Sequence, residues 1–274
     1  KRMEEAGVKI IFGVEGLKIH SKLTLISKKN GTRIAAISTG NFHEGNAAVY
    51  TDFTLFTANK NITGEVESVF DFINQPFQNQ RFTHLLVSPQ EMRKKLNQLI
   101  QNEIANAKKG LPAYIHCKIN HITDYTFIEK LYNAAAAGVK IRLVVRGMCS
   151  IVPSQAKLKG NIEIVGIVDK FLEHSRIFIF CNDGVEKYYI SSGDWMTRNL
   201  DLRIEVGAPV YDKNIQKELR TILDCTWNDN IKARIIDGKG ENNIRKNDLP
   251  PFRSQYMLME HYKILEKSKA DKTN

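Results

Sequence analysis

His20-Ser21-Lys22, with Ser38-Thr39-Gly40-Asn41-Phe42 beginning eighteen residues after the histidine, is a pattern this chain spells twice. The second copy is His174-Ser175-Arg176, followed seventeen residues after its histidine by Ser191-Ser192-Gly193-Asp194-Trp195. A carboxylate trails each turn at the same offset: Asp52 lies eleven residues beyond Asn41, and Glu205 eleven beyond Asp194. The flanks agree too, Ala6-Gly7-Val8-Lys9-Ile10 matching Ala137-Gly138-Val139-Lys140-Ile141. Internal repetition fixes architecture before any local reading does, and here it predicts two related lobes. A single His-x-basic triplet means little, because a lone histidine in a strand-rich core is usually a satisfied structural residue. A doubled triplet with a doubled glycine turn and a doubled carboxylate is hard to obtain by chance.

Around these motifs, hydrophobic periodicity alternates between strand and helix. Val8–Phe12 reads as a buried strand, and Leu23–Ser27 with Arg33–Ser38 as a hairpin about Lys28-Lys29-Asn30-Gly31. Thr51–Thr57 reads as a further strand, and Thr63–Asn74 as a helix presenting Val66, Val69, Phe70 and Ile73. The polar stretch Gln75–Arg81, holding Pro76, is the linker candidate. Gln90–Lys108 is amphipathic, with Met92, Leu96, Leu99, Ile100 and Ile104 on one side. A strand-helix-strand unit follows over Tyr114–Ile119, Asp124–Ala137 and Lys140–Val145. Strands are expected at Ile162–Val168, Ile177–Phe180, Tyr188–Ser191 and Leu202–Ala208, and helices at Ile215–Trp227 and Ser254–Leu265. The class is therefore α/β, mixed sheets flanked by helices, divided at 1–82 and 83–274. The first lobe reads as truncated at its N-terminus: nineteen residues precede His20, and Lys1–Ala6 resembles the end of a helix. The lysine-rich last eight residues are expected to fray.

With 274 residues, 42% of them apolar, the chain can bury real cores. Its 40 basic against 30 acidic residues leave a charge of +10, which favours polyanionic partners: nucleic acid, nucleotide, polyphosphate or anionic lipid. Cys117, Cys149, Cys181 and Cys225 are far apart with no Cys-x-x-Cys pair, so buried reduced thiols are expected instead of a metal knuckle or disulfide scaffold. No apolar run approaches the roughly 20 residues that span a bilayer, and the expected location is the cytoplasm.

The chemistry follows from residue type. In each repeat the histidine and the cation two positions on share a strand face. Lys22 can hold a phosphate oxygen beside His20, as Arg176 can beside His174. Neighbouring cations disfavour the imidazolium, and the neutral ring is the nucleophile. The Ser-x-Gly-Asn turn offers backbone amides and the Asn41 side chain to phosphate. Asp52 or Glu205 is placed to orient an imidazole through its second nitrogen. His43, His84, His116, His121 and His261 lack such neighbours and read as ordinary, while Phe42 and Trp195 read as core. No Walker loop or protein-kinase motif set is present.

These motifs resemble the phospholipase D superfamily, whose paired His-Lys-Asp motifs meet across a two-lobed site. More closely, nearly the whole chain resembles the carboxy-terminal half of the long-type polyphosphate kinase family. The stretches that carry this are Gly16-Leu17-Lys18-Ile19-His20-Ser21-Lys22, Tyr50-Thr51-Asp52-Phe53, Glu103-Ile104-Ala105-Asn106-Ala107 and Val145-Arg146-Gly147-Met148-Cys149-Ser150. Phe171-Leu172-Glu173-His174-Ser175-Arg176 and Ser192-Gly193-Asp194-Trp195-Met196-Thr197-Arg198-Asn199 complete the set. The resemblance implies two phospholipase D-like lobes and reversible transfer of the terminal phosphate of ATP to polyphosphate, with ADP released. It places a phosphohistidine at His20, a second active-site histidine at His174, and nucleotide or phosphate contacts at Tyr50 and Arg146. Lys22, Arg176, Arg198 and Arg203 are further candidate cations. It implies Mg²⁺ with the nucleotide, its linked arginines preceding Lys1 and no metal ligand within this stretch. Homo-oligomerisation of the full-length protein and peripheral association with the inner face of the membrane also belong to that picture, and nucleic acid does not. The superfamily aspartate five residues after the lysine is replaced by Ser27, and Arg176 replaces the second lysine, which weakens a lipase or nuclease reading. A phospholipase D-type phosphodiesterase and a basic nucleic-acid-binding module are the rival functions.

Overall fold

The computed structural model describes residues 1–78 and 80–270. The first repeat comprises α1 (Arg2–Glu5), β1 (Lys18–Ile19), β2 (Lys22–Ser27), β3 (Arg33–Ser38), α2 (Glu44–Ala47), β4 (Tyr50–Thr51), β5 (Thr54–Thr57) and α3 (Lys60–Asn74). There follow β6 (Leu86–Ser88), α4 (Met92–Lys108), β7 (Tyr114–Ile119), α5 (Tyr125–Ala136), β8 (Lys140–Val145) and β9 (Ile162–Gly166). The second motif occupies β10 (Leu172–Glu173), β11 (Ile177–Phe180), β12 (Lys187–Ser191), α6 (Thr197–Asp201) and β13 (Arg203–Pro209), ahead of α7 (Lys213–Asn228), β14 (Arg234–Ile235) and α8 (Ser254–Ala270).

A parallel pair needs a crossover, and α5 supplies it between β7 and β8. Asp124 caps that helix by accepting from the Phe127 N–H at 2.9 Å, and Gly138, at φ +105°, lets the chain leave it. The resulting mixed nine-stranded sheet runs β1-β13-β12-β11-β7-β8-β9-β14, with β6 also on β13. β11 shows why its Ile-Phe-Ile-Phe run is continuously apolar. Phe178 and Phe180 point into a core with Leu96, Phe127 and Trp195, while Ile177 and Ile179 point into another with Ile37, Val66 and Trp227. Period-2 alternation with both faces covered demands apolar residues at every position.

The sequence repeat is a structural repeat down to register. Leu23 lies opposite Ile37 as Ile177 lies opposite Ile190. Ser38 lies opposite Thr54 as Ser191 lies opposite Gly207. The two copies also exchange short parallel strands. β1, leading into His20, pairs with β13, and β10, leading into His174, pairs with β4.

Several expectations need correction. Val8–Phe12 is not a strand: Phe12 is 91% exposed, and no described strand lies beside the segment to take its backbone bonds. Thr51–Thr57 is broken at Asp52-Phe53, because β4 serves β10 while β5 serves β3. The strand expected over Ile162–Val168 stops at Gly166. Phe70 faces solvent, the buried stripe of α3 being Ile62, Val66, Val69 and Phe72. Phe42 is 60% exposed, unlike Trp195, which is fully buried against Phe127 and Phe178. Cys117 and Cys181 are buried free thiols, whereas Cys149 and Cys225 are only partly covered. Asn79, within the linker candidate, and 271–274, within the tail expected to fray, lie outside the described residues, and α8 continues through Ala270.

Candidate active site

The strand exchange decides which carboxylate meets which imidazole. Parallel pairing of β1 with β13 sets His20 beside Glu205, and its Nδ1 lies 2.9 Å from the fully buried Glu205 Oε2. Pairing of β10 with β4 does the same for His174, whose Nδ1 lies 2.7 Å from Asp52 Oδ1. Each histidine is thus supported by the carboxylate of the other repeat. A carboxylate can only accept, so it holds the proton on Nδ1 and leaves the Nε2 lone pair outward. Glu205 is itself fixed, its Oε2 accepting from Ser192 Oγ at 2.6 Å and its Oε1 from Asn199 Nδ2 at 2.6 Å. Asp52 accepts from Thr39 Oγ1 at 2.8 Å.

The glycine turns leave fewer amides open to phosphate than expected, and they have a second task. Four of their amides are already bonded: Gly40 N–H to Ser38 Oγ, Thr39 N–H to the Phe53 carbonyl, Gly193 N–H to Ser191 Oγ and Ser192 N–H to the Val206 carbonyl. What glycine contributes is room. A Cβ at residue 40 would lie 1.9 Å from Asp52 Oδ2, and one at 193 would lie 3.1 Å from Glu205 Cγ. The turns therefore admit the carboxylates that hold the histidines.

The cations divide into bound and free. Arg176 is 3% exposed and grips Asp194 through Nε at 3.1 Å and Nη2 at 3.3 Å. Its Nη1 donates to the carbonyls of His174 (2.7 Å) and Thr39 (3.3 Å) and lies 3.3 Å from His174 Nε2. It is a buried tie between the repeats. Lys22 has no ion pair among the described residues; its Nζ donates to the His20 carbonyl at 2.5 Å. Burial, aided by Arg176 and Arg203 and opposed by Glu205 and Asp52, lowers its pKa to about 8. One ammonium thus lies in the field of both carboxylates that hold the two imidazoles. Arg146 donates Nε to Asn120 Oδ1 at 3.2 Å and has no carboxylate partner among the described residues. The ring of Tyr50 lies 5.1 Å from that of His174. Burial lowers the His174 pKa; the Asp52 bond opposes this and Arg176 and Arg146 add to it, so the ring favours its neutral form. Arg198, in the first turn of α6, and Asn41 are exposed, with no side-chain bond among the described residues.

Three contributors escaped sequence reading. Lys118 is buried on β7, its Nζ 3.0 Å from Glu173 Oε2 and 2.8 Å from Ser175 Oγ, bracing the segment that carries His174. Asn120 joins Arg146 to the His174 carbonyl. His121 sits in the field of Asp194, Arg146, Arg176 and Arg198, and burial is the chief cause of its lowered pKa. The available signal was position: all three lie at or just past the C-terminal end of a parallel strand, where α/β sites collect. A groove of about 910 Å³ between β5, α7 and α8 touches Asp52, but its charged lining residues, Asp52, Glu218 and Glu266, are all acidic, which disfavours a polyanion.

Two family descriptions match most of the chain, polyphosphate kinase C-terminal domain 1 over residues 1–79 and C-terminal domain 2 over 85–255. The chain belongs to the polyphosphate kinase family. It is 47% identical over 269 residues to the polyphosphate kinase of Vibrio cholerae, covering 97% of this chain and 38% of that protein. It is 45% identical over 270 residues to that of Escherichia coli K12, covering 97% of this chain and 39% of the relative. The crystal structure of polyphosphate kinase from Porphyromonas gingivalis matches with a TM-score of 0.91 at 40% identity, over 97% of this chain and 42% of that one. The chain thus spans about two fifths of the length of these polyphosphate kinases. Among the described residues no helix is long and apolar enough to cross a membrane.

Proposed function

We propose that this chain carries the phosphoryl-transfer centre of a polyphosphate kinase, with His20 as the group that bears the phosphate. The observation that carries the reading is the asymmetry between two similarly braced imidazoles. Both have Nδ1 on a carboxylate, but the guanidinium of Arg176 stands 3.3 Å from His174 Nε2. His20 has as its cation the Lys22 ammonium, which donates to the His20 carbonyl and has no ion pair among the described residues.

His20 Nε2 attacks the γ-phosphorus of ATP, the bond to the bridging oxygen breaks, and ADP leaves with that electron pair. The ring becomes cationic as it takes the phosphoryl group, and the Glu205 carboxylate, holding the Nδ1–H, offsets that charge. The terminal oxygen of a polyphosphate chain then attacks the same phosphorus, and His20 departs as a neutral imidazole. A loose transition state places charge on the equatorial oxygens, so positioned cations do most of the work. Lys22, Arg146, Arg198 and Arg203 are the candidates, and His174 is placed to hold the transferring group or its proton.

Mg²⁺ would accompany the nucleotide. Among the described residues no cluster of three or more His, Cys, Asp or Glu is arranged to hold a metal. The nearby carboxylates are committed to His20, His174, Lys118 and Arg176. The ion therefore does not fit a protein-built cage here.

The test is incubation of the full-length protein with γ-labelled ATP. Acid-labile, base-stable label that disappears in His20→Ala is the expected result. A phosphodiesterase would take no label from ATP, and label persisting in His20→Ala would remove His20 from the role.

A further inference from the structure

We infer that Asn120 is a positioning residue that sets Arg146 and His174 relative to each other for the transfer; this rests on the phosphoryl-transfer reading above. Asn120 follows β7 and is 1% exposed. Its amide faces two partners of opposite demand. Oδ1 accepts from Arg146 Nε at 3.2 Å, and Nδ2 donates to the His174 carbonyl at 3.2 Å. Those partners settle which end is oxygen, since the reverse would set N–H against guanidinium and oxygen against carbonyl.

The backbone of Asn120 is equally committed. Its N–H donates to Asp194 Oδ1 at 3.1 Å, the carboxylate that grips Arg176, and its carbonyl accepts from Gly147 at 2.8 Å. One buried residue thus joins the C-terminal ends of β7 and β8 to the segment between β10 and β11 that bears His174. The consequence for Arg146 is specific. A guanidinium is a planar fork, so fixing Nε–H fixes the plane in which its two Nη groups present donors to phosphate. No other side-chain bond of Arg146 is present among the described residues. Aspartate would still accept from Arg146, but it would set oxygen against the His174 carbonyl and partly neutralise the cation. Alanine would free both partners.

The experiment uses the full-length protein with Asn120→Ala, Asn120→Asp, Arg146→Ala, Arg146→Lys and the Asn120→Ala/Arg146→Ala pair. Thermal melting, calorimetric binding of inorganic tripolyphosphate and the single-turnover rate of His20 labelling are read for each. Displacement of a catalytic group by about an ångström costs on the order of 10²-fold. Asn120→Ala should therefore slow labelling by about that factor, and should weaken tripolyphosphate binding by about tenfold. In the Arg146→Ala background the same change should cost far less, because coupled residues are not additive. Arg146→Lys keeps the charge but offers Asn120 no Nε–H, and should be impaired about as much as Asn120→Ala. Full additivity in the pair, undiminished binding and labelling in a folded Asn120→Ala, or an Arg146→Lys that equals wild type would each overturn the inference. The arginine arm decides even if the asparagine variants do not fold. Wild type that binds tripolyphosphate yet takes no label from ATP would refute the kinase reading, while the binding data still judge Asn120.

Discussion

Replacing Lys22 by methionine separates stability from function in a way this site makes quantitative. The Lys22 ammonium is half-buried without an ion pair among the described residues, and its pKa falls from the ordinary 10.5 to about 8. At about 1.4 kcal/mol per pH unit, keeping that charge in the folded chain at pH 7 costs up to about 3.4 kcal/mol. Screening of a partly exposed group reduces this to about 1–2 kcal/mol. Methionine fills a similar volume without charge, so Lys22→Met should be the more stable protein at neutral pH, by about 2–6 °C in melting temperature. The sign with pH follows from the depressed value. The penalty is fully present below about pH 8 and fades between about 8 and 10.5 as the folded chain sheds the proton, so the two melting curves should converge there. Loss of a cation that holds transition-state charge should meanwhile lower His20 labelling by about 10²-fold. Melting from pH 6 to 10.5, paired with single-turnover labelling, checks both halves. A variant less stable than wild type at pH 7, or a stability gap that does not change with pH, would refute the reasoning.

Other consequences follow from the same geometry. Glu205→Gln keeps the size but removes the carboxylate that sets the His20 tautomer, and rapid-quench labelling should fall by about 10³-fold with little change in melting. Gly40→Ala drives a Cβ to 1.9 Å from Asp52 Oδ2. Overpacking of that kind should destabilise by about 1–3 kcal/mol in urea unfolding and also slow transfer through displaced His174. Lys118→Met leaves the buried Glu173 without its cation, which should destabilise by about 3–5 kcal/mol by the same assay.

What could be read from the sequence was what local periodicity encodes. β7, β8 and the β2–β3 hairpin, together with the buried face of α4, match their expected residues because alternation, heptad-like spacing and turn residues are properties of neighbouring positions. Val8–Phe12 failed because apolar β-branched residues make a strand only beside another strand. Thr51–Thr57 failed because a single run of strand formers was divided between two sheets. The histidines, the cations and both carboxylates were visible as a repeat. Which carboxylate held which histidine was not, since that depends on β1–β13 and β10–β4 pairings between residues more than a hundred positions apart. The glycine N–H groups of the turns are not open to phosphate, because the Ser38 and Ser191 hydroxyls two residues away take them, which the turn motif alone does not reveal. Asn120 and His121 were missed because they belong to no repeated motif.

The most direct measurement is phosphorus NMR of the ATP-treated, full-length protein, read for both the residue and the ring nitrogen that carries the phosphate. With Nδ1 of His20 held by Glu205, the phosphoryl group must sit on Nε2 of His20. Phosphate on Nδ1, or on His174 in place of His20, would contradict the account.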